Sequence, residues 1–111
     1  MLRSLGKITV AVPGTLVRAT VNMPDPTKTR ACNGLMFQTF TSNAGYVYIG
    51  GVNLNKTTGT DLFCVLPPPT ASSLPTFSAS LPYAPGGLNA GDIYIDADNA
   101  DDGVVGASVV G

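Results

Sequence analysis

The sequence has no histidine, no glutamate, only two cysteines and few charges of either sign. Each shortage removes a class of function. Without histidine there is no Ser-His-Asp triad, no Cys-His pair and no histidine metal site. Neither GxxxxGK[ST] nor GxGxxG occurs, so no phosphate-cradling loop is legible. No catalytic residue, metal ligand or cofactor is expected, and folding is expected to need no divalent ion. Charged residues make up 12% of the chain, about half the roughly 25% usual in soluble domains. No apolar run approaches the roughly 18 residues of a membrane-crossing helix. "MLRSLGKITVAVPG" lacks the apolar stretch of a signal peptide, so folding in a cytosol is expected.

The charges that remain are unevenly placed. All six basic residues (Arg3, Lys7, Arg18, Lys28, Arg30 and Lys56) lie in the first half, with one acid, Asp25. The other six acids begin at Asp61. This split suggests either chance or a dipolar surface that would orient the protein in an assembly. The basics form no run, so nucleic acid is not an expected partner; with no apolar run of spanning length, neither is a membrane. Cys32 and Cys64 stand apart without CxxC spacing. Reduced, buried thiols are the leading reading, and a disulfide between them is the alternative.

What is present is neutral and strand-like. Hydrophobic residues reach 44%, interrupted by Gly, Pro, Thr, Ser and Asn so often that no helix of ordinary length fits. Period-two alternation recurs. "KITVAVP" puts Ile8, Val10 and Val12 on one face. "TLVRATVN" opposes Val17, Ala19 and Val21 to Arg18 and Thr20, after a Pro13-Gly14 turn. "GLMFQTF" alternates less cleanly and suggests cover on both sides. "GYVYIGG" opposes Tyr46 and Tyr48 to Val47 and Ile49, with "TSNAG" before it as a short hairpin loop. "NLNKTTGTD" is a polar connection, and "DLFCVLP" a buried strand ended by proline. A weak strand near "TFSAS" and two more in "DIYIDAD" and "GVVGASVV" bring the total to about eight. The expectation is one all-β domain over residues 1–111, an antiparallel β-sandwich or jelly-roll-like barrel.

Two stretches remain. "LPPPTASSLPTFSASLPYAPGG" holds six of the nine prolines and suggests an extended segment over residues 66–86. It is either a surface crossover between two sheets or an arm on a neighbouring subunit. An SH3-type ligand fits least well. As an arm it would dock through Pro67, Pro68, Pro69, Leu74, Phe77, Leu81 and Tyr83. The other stretch gathers Asp92, Asp96, Asp98, Asp101 and Asp102. A calcium loop counted from Asp96 fails at its demanding positions, with Ala100 at five, Asp101 where glycine belongs and Ala107 at twelve. Two carboxylates on one tight loop do not flank a substrate as glycosidase pairs do. The cluster is expected to be the polar tip of a C-terminal hairpin that discourages aggregation of a valine-rich strand.

"VPGTLVRATVN", "ACNGLMFQTFTSNAGYVYIGG" and "GLNAGDIYIDADNADDGVVGASVV" together resemble small virion proteins of tailed bacteriophages. There, a "PGT.V" start, a "G.VY.G" centre and a "D.Y.DAD..GDGV" end recur in one short β domain. "DNADDGV" departs from the last motif at Asp101. The resemblance covers most of the chain outside the proline-rich segment, and its motifs are turns and strands. It implies a cement or decoration protein on the capsid exterior, bound to the major capsid protein and forming a dimer or trimer, made in the host cytoplasm. A tail or neck accessory is the near alternative. A carbohydrate- or calcium-binding β-sandwich module, suggested by the acidic cluster and the tyrosines, is the distant one.

Overall fold

The computed structural model describes residues 2–24, 31–68, 78–82 and 88–109. Those residues form ten strands: β1 (Leu2–Val10), β2 (Val17–Arg18), β3 (Ala31–Cys32), β4 (Gly34–Thr39), β5 (Val47–Asn55), β6 (Thr60–Leu66), β7 (Ser78–Pro82), β8 (Leu88–Asn89), β9 (Tyr94–Ala97) and β10 (Asp102–Val109). The only helical turn among them is a 3-10 turn, Ala90–Asp92. One sheet has the order β1-β10-β4-β7 and the other β2-β9-β5-β6, with β3-β8 as a separate two-residue pair. Every pairing is antiparallel. Apart from β3 and β8, the chain changes sheet at every connection except β5 to β6. This is an eight-stranded jelly-roll sandwich, as the alternation suggested.

The period of two explains the core. Ile8 and Val10 on β1, Leu35 and Phe37 on β4, Val47 and Ile49 on β5, Ile95 on β9 and Val104 on β10 are sealed between the sheets. Each such side chain contributes roughly 1.5–3 kcal/mol on leaving water. β4 alternates strictly, with Leu35, Phe37 and Thr39 inward and Met36 and Gln38 outward, rather than being covered on both sides. β2 is shorter than its alternation suggested. After Arg18 the chain turns twice, through Val21 N to Arg18 O and Met23 N to Thr20 O, which buries both Ala19 and Thr20 and exposes Val21.

Two connections differ from the sequence reading. "TSNAG" joins β4 to β5, and "DNADDG" joins β9 to β10, but in each case the two strands belong to different sheets. Both are arches over the end of the sandwich and not hairpin loops. The one hairpin between neighbouring long strands is "NKTTG", where Asn55 Oδ1 accepts from Thr57 N and Thr58 N and Gly59 turns at φ +78°. "DLFCVLP" is also less buried than its composition implied. β6 lies at the edge of its sheet, and Phe63 and Val65 on its outer side are 52% and 42% exposed. An apolar run of this length can therefore be two-faced when only one face has a sheet to cover it.

Within the proline-rich segment 66–86, β6 ends at Leu66 and β7 occupies Ser78–Pro82, and these two strands belong to different sheets. Ser78–Pro82 is a ladder strand on the edge of β4, with Leu81 opposite Leu35. That part of the expected arm belongs to the protein's own sheet. Its closing proline stands on an edge strand, where a missing donor is tolerated.

β1 and β10 approach so closely at Thr9 and Gly103 that a Cβ on Gly103 would collide with the Ile8 carbonyl oxygen. Backbone cannot yield as a side-chain tip can. Gly103→Ala is expected to destabilise the fold by about 1–3 kcal/mol, measured by urea unfolding. An unchanged midpoint would mean that the two strands are not held at this spacing.

Candidate functional site

The acidic stretch closes one end of the sandwich. Three arches meet there: residues 11–16 from β1 to β2, 40–46 from β4 to β5, and 98–101 from β9 to β10. Leaving a ladder frees backbone N–H groups, and buried ones need new acceptors. Asp96, 3% exposed, accepts from Gly14 N at 2.9 Å and from Ala97 N at 2.8 Å. Gly14 reaches it at φ +90°, a conformation open to glycine. Asp102, 4% exposed, accepts from Ala44 N at 3.0 Å and Gly45 N at 2.9 Å. Asn43 exchanges two bonds with Gly103, donating to its carbonyl at 2.9 Å and accepting from its N–H at 3.0 Å. Asp98 N to Tyr46 O and Asp101 N to Val10 O tie the third arch to the other two.

The cluster thus divides by role. Asp96 and Asp102 are buried staples between arches, whereas Asp92, Asp98 and Asp101 are exposed. Among the described residues, no three His, Cys, Asp or Glu side chains converge in a way that could hold a metal ion. Asp98 instead faces the outer side of the second sheet. It accepts from the Tyr48 hydroxyl at 3.0 Å and lies 3.4 Å from Lys56 Nζ. Burial, then the Asp98 hydrogen bond and charge, pushes the Tyr48 hydroxyl above its ordinary pKa and keeps it a donor.

Among the described residues, the two halves of the charge split are brought side by side. Pairing of β1 with β10 and of β2 with β9 folds the basic half onto the acidic one. Lys56 meets Asp98, and Lys7 and Asp101 line one groove.

The outer face of the second sheet carries most of the accessible aromatic surface among the described residues. Arg18 lies over the Tyr94 ring, 5.3 Å from its centroid, and donates through Nε to the hydroxyl at 3.0 Å. Tyr48 stands opposite Val65, with Phe63 two residues back on the same side of β6. Tyr46, 47% exposed, precedes β5. Tyrosine, phenylalanine and arginine are residue types enriched at interfaces, and here Phe63 and Tyr46 are exposed while Tyr48, Tyr94 and Arg18 are half-buried. Composition did not reveal this strip, because Phe63 and Val65 read as core until β6 is known to be an edge. Of the residues assigned to an arm, Pro67 and Pro68 continue from β6 and are half-buried. Leu81 lies in β7. Pro69, Leu74, Phe77 and Tyr83 lie outside the described residues.

Cys32 is buried, Cys64 half-buried, and both are free thiols. Burial raises the pKa of each, and for Cys32 backbone hydrogen bonds involving Ala90 and Gly34 oppose the rise. No family model matches the chain, and no curated protein or solved structure shows significant similarity to it.

Two outcomes are expected. Asp102→Ala strips two N–H groups of a charged acceptor, which costs about 2–3 kcal/mol, whereas Asp98→Ala removes an exposed pair worth about 1 kcal/mol or less. Thermal unfolding of the two variants separates these roles, and equal losses would refute the division. Iodoacetamide is expected to label native Cys64 faster than Cys32, and both at one rate in denaturant, because the thiolate reacts and access to it differs. Mass spectrometry of timed samples gives the order.

Proposed function

We propose that this chain is a structural component of a virus particle. More narrowly, it acts as a capsid cement or decoration protein that binds and stabilises the shell of the major capsid protein, working as a dimer or trimer. The observation that carries the reading is a strip on one rigid sheet in which exposed Phe63 and Val65 lie beside half-buried Tyr48, Tyr94 and Arg18. Its composition suits a partner surface. Two further points support the reading. Jelly-roll sandwiches recur among capsid proteins, although fold alone does not specify function. The three stretches that resemble phage virion proteins lie close together in this fold: "PGT" forms the arch stapled by Asp96, "GYVYIG" opens β5, and the terminal stretch supplies both staples. A tail or neck accessory would use the same strip against a different partner.

The test is sedimentation with particles of the phage that encodes the chain. Wild-type protein is expected to pellet with heads that lack it, and Phe63→Ser with Val65→Thr to lose binding tenfold or more with an unchanged melting temperature. Wild-type binding to isolated tails and not heads would favour the accessory role. Binding to neither would overturn the structural reading.

A further inference from the structure

A second surface lies on the opposite sheet. Lys7 on β1, Val105 on β10 and Gln38 on β4 form one cross-strand row. The neighbouring row holds Thr9 and Phe40 on either side of Gly103, with Phe40 N bonded to Gly103 O. No side chain stands between Thr9 and Phe40, because residue 103 is glycine. Together with Ser42 and Asp101 on two of the arches, these residues line an open groove of about 490 Å³. That volume falls in the range of small-molecule sites.

The geometry points to a saccharide-binding groove for a neutral pyranose, and this inference is independent of the docking face on the other sheet. A pyranose has apolar C–H faces and a rim of hydroxyls that both donate and accept. The groove has the matching division. Val105, 41% exposed, and the half-buried Phe40 ring supply apolar contact. Thr9, Gln38 and Ser42, all exposed, supply neutral donors and acceptors around it. The Lys7 ammonium lies 5.9 Å from the Phe40 centroid, which holds the ring and places a donor at the rim. Asp101 is exposed and offers a carboxylate to accept from adjacent hydroxyls. One cation balanced by one anion does not suit a phosphate or nucleotide, which needs net positive charge. A peptide strand would need a free sheet edge, and the groove lies on a sheet face.

The experiment is a titration of the full-length, 15N-labelled chain with D-glucose, D-galactose and N-acetyl-D-glucosamine at tens of millimolar, followed by amide NMR. At least one sugar is expected to shift resonances of residues 7–9, 38–42, 101 and 105, with a dissociation constant in the millimolar range that an open groove allows. Asp101 has φ +68°, which asparagine tolerates, so Asp101→Asn keeps the fold and is expected to weaken binding at least tenfold. Tyr48→Ala, on the other sheet, is expected to leave it unchanged. No shift with any of the three sugars, shifts centred on Tyr46, Tyr48 and Tyr94, or undiminished binding by Asp101→Asn would each overturn the assignment.

Discussion

The fold depends on what happens to backbone N–H groups where the chain leaves one sheet for the other. A hairpin keeps its ladder up to the turn, but an arch does not. Nearly every connection in this jelly roll changes sheet, so donors are stranded at the ends of the sandwich. At the arch-bearing end the acceptors are side chains: carboxylates from β9 and from the start of β10, and one amide from the 40–46 arch. An aspartate accepts from two donors at once and strengthens both bonds with its charge. Glutamate would need a longer reach and more rotamer entropy. That difference fits a chain whose acids are all aspartate.

This accounting also explains which parts of the fold were legible in the sequence. The strands were, because alternation is local and each buried face repeats every second residue. The sheet to which each strand belongs was not. "TSNAG" and "DNADDG" carry the Asn, Asp and Gly that build hairpin turns, and an arch uses the same residues for the same local reasons. What distinguishes the two is the identity of the acceptor. Gly14 N is satisfied by a carboxylate 82 positions away, and no window of sequence contains both. The acidic stretch was read as the tip of a hairpin rather than as a calcium loop or catalytic pair. The hairpin-tip reading was wrong, because β9 and β10 belong to different sheets and Asp96 and Asp102 accept bonds from the arches.

The two outer faces were hidden for a related reason. Phe63 and Val65 sit in an apolar run that reads as core, and Met36 and Val105 likewise sit among core residues. Whether an apolar residue is buried depends on its parity within the strand and on whether a second layer covers that parity. Parity is written in the sequence, and the covering layer is a property of topology. An edge strand with an uncovered apolar side is a hazard for a free monomer, which is why such a side is informative about partners. Here charge does little to blunt it, since the described part of β6 contains a single acid, Asp61, near its start.

Rigidity connects the staples to the surfaces. The Phe40, Ser42 and Asp101 wall of the groove belongs to the same arches that Asp102 and Asn43 hold. Tyr46 and Asp98 on the opposite face are joined through the Asp98 N to Tyr46 O bond. One buried end therefore positions side chains on both outer faces. A contact surface that is already ordered loses less entropy on binding, so the hydrogen bonds that settle the arches also improve whatever binding the faces perform. In a chain with few charges and a modest core, placing the polar network at the junction of three arches makes one set of groups serve both stability and presentation.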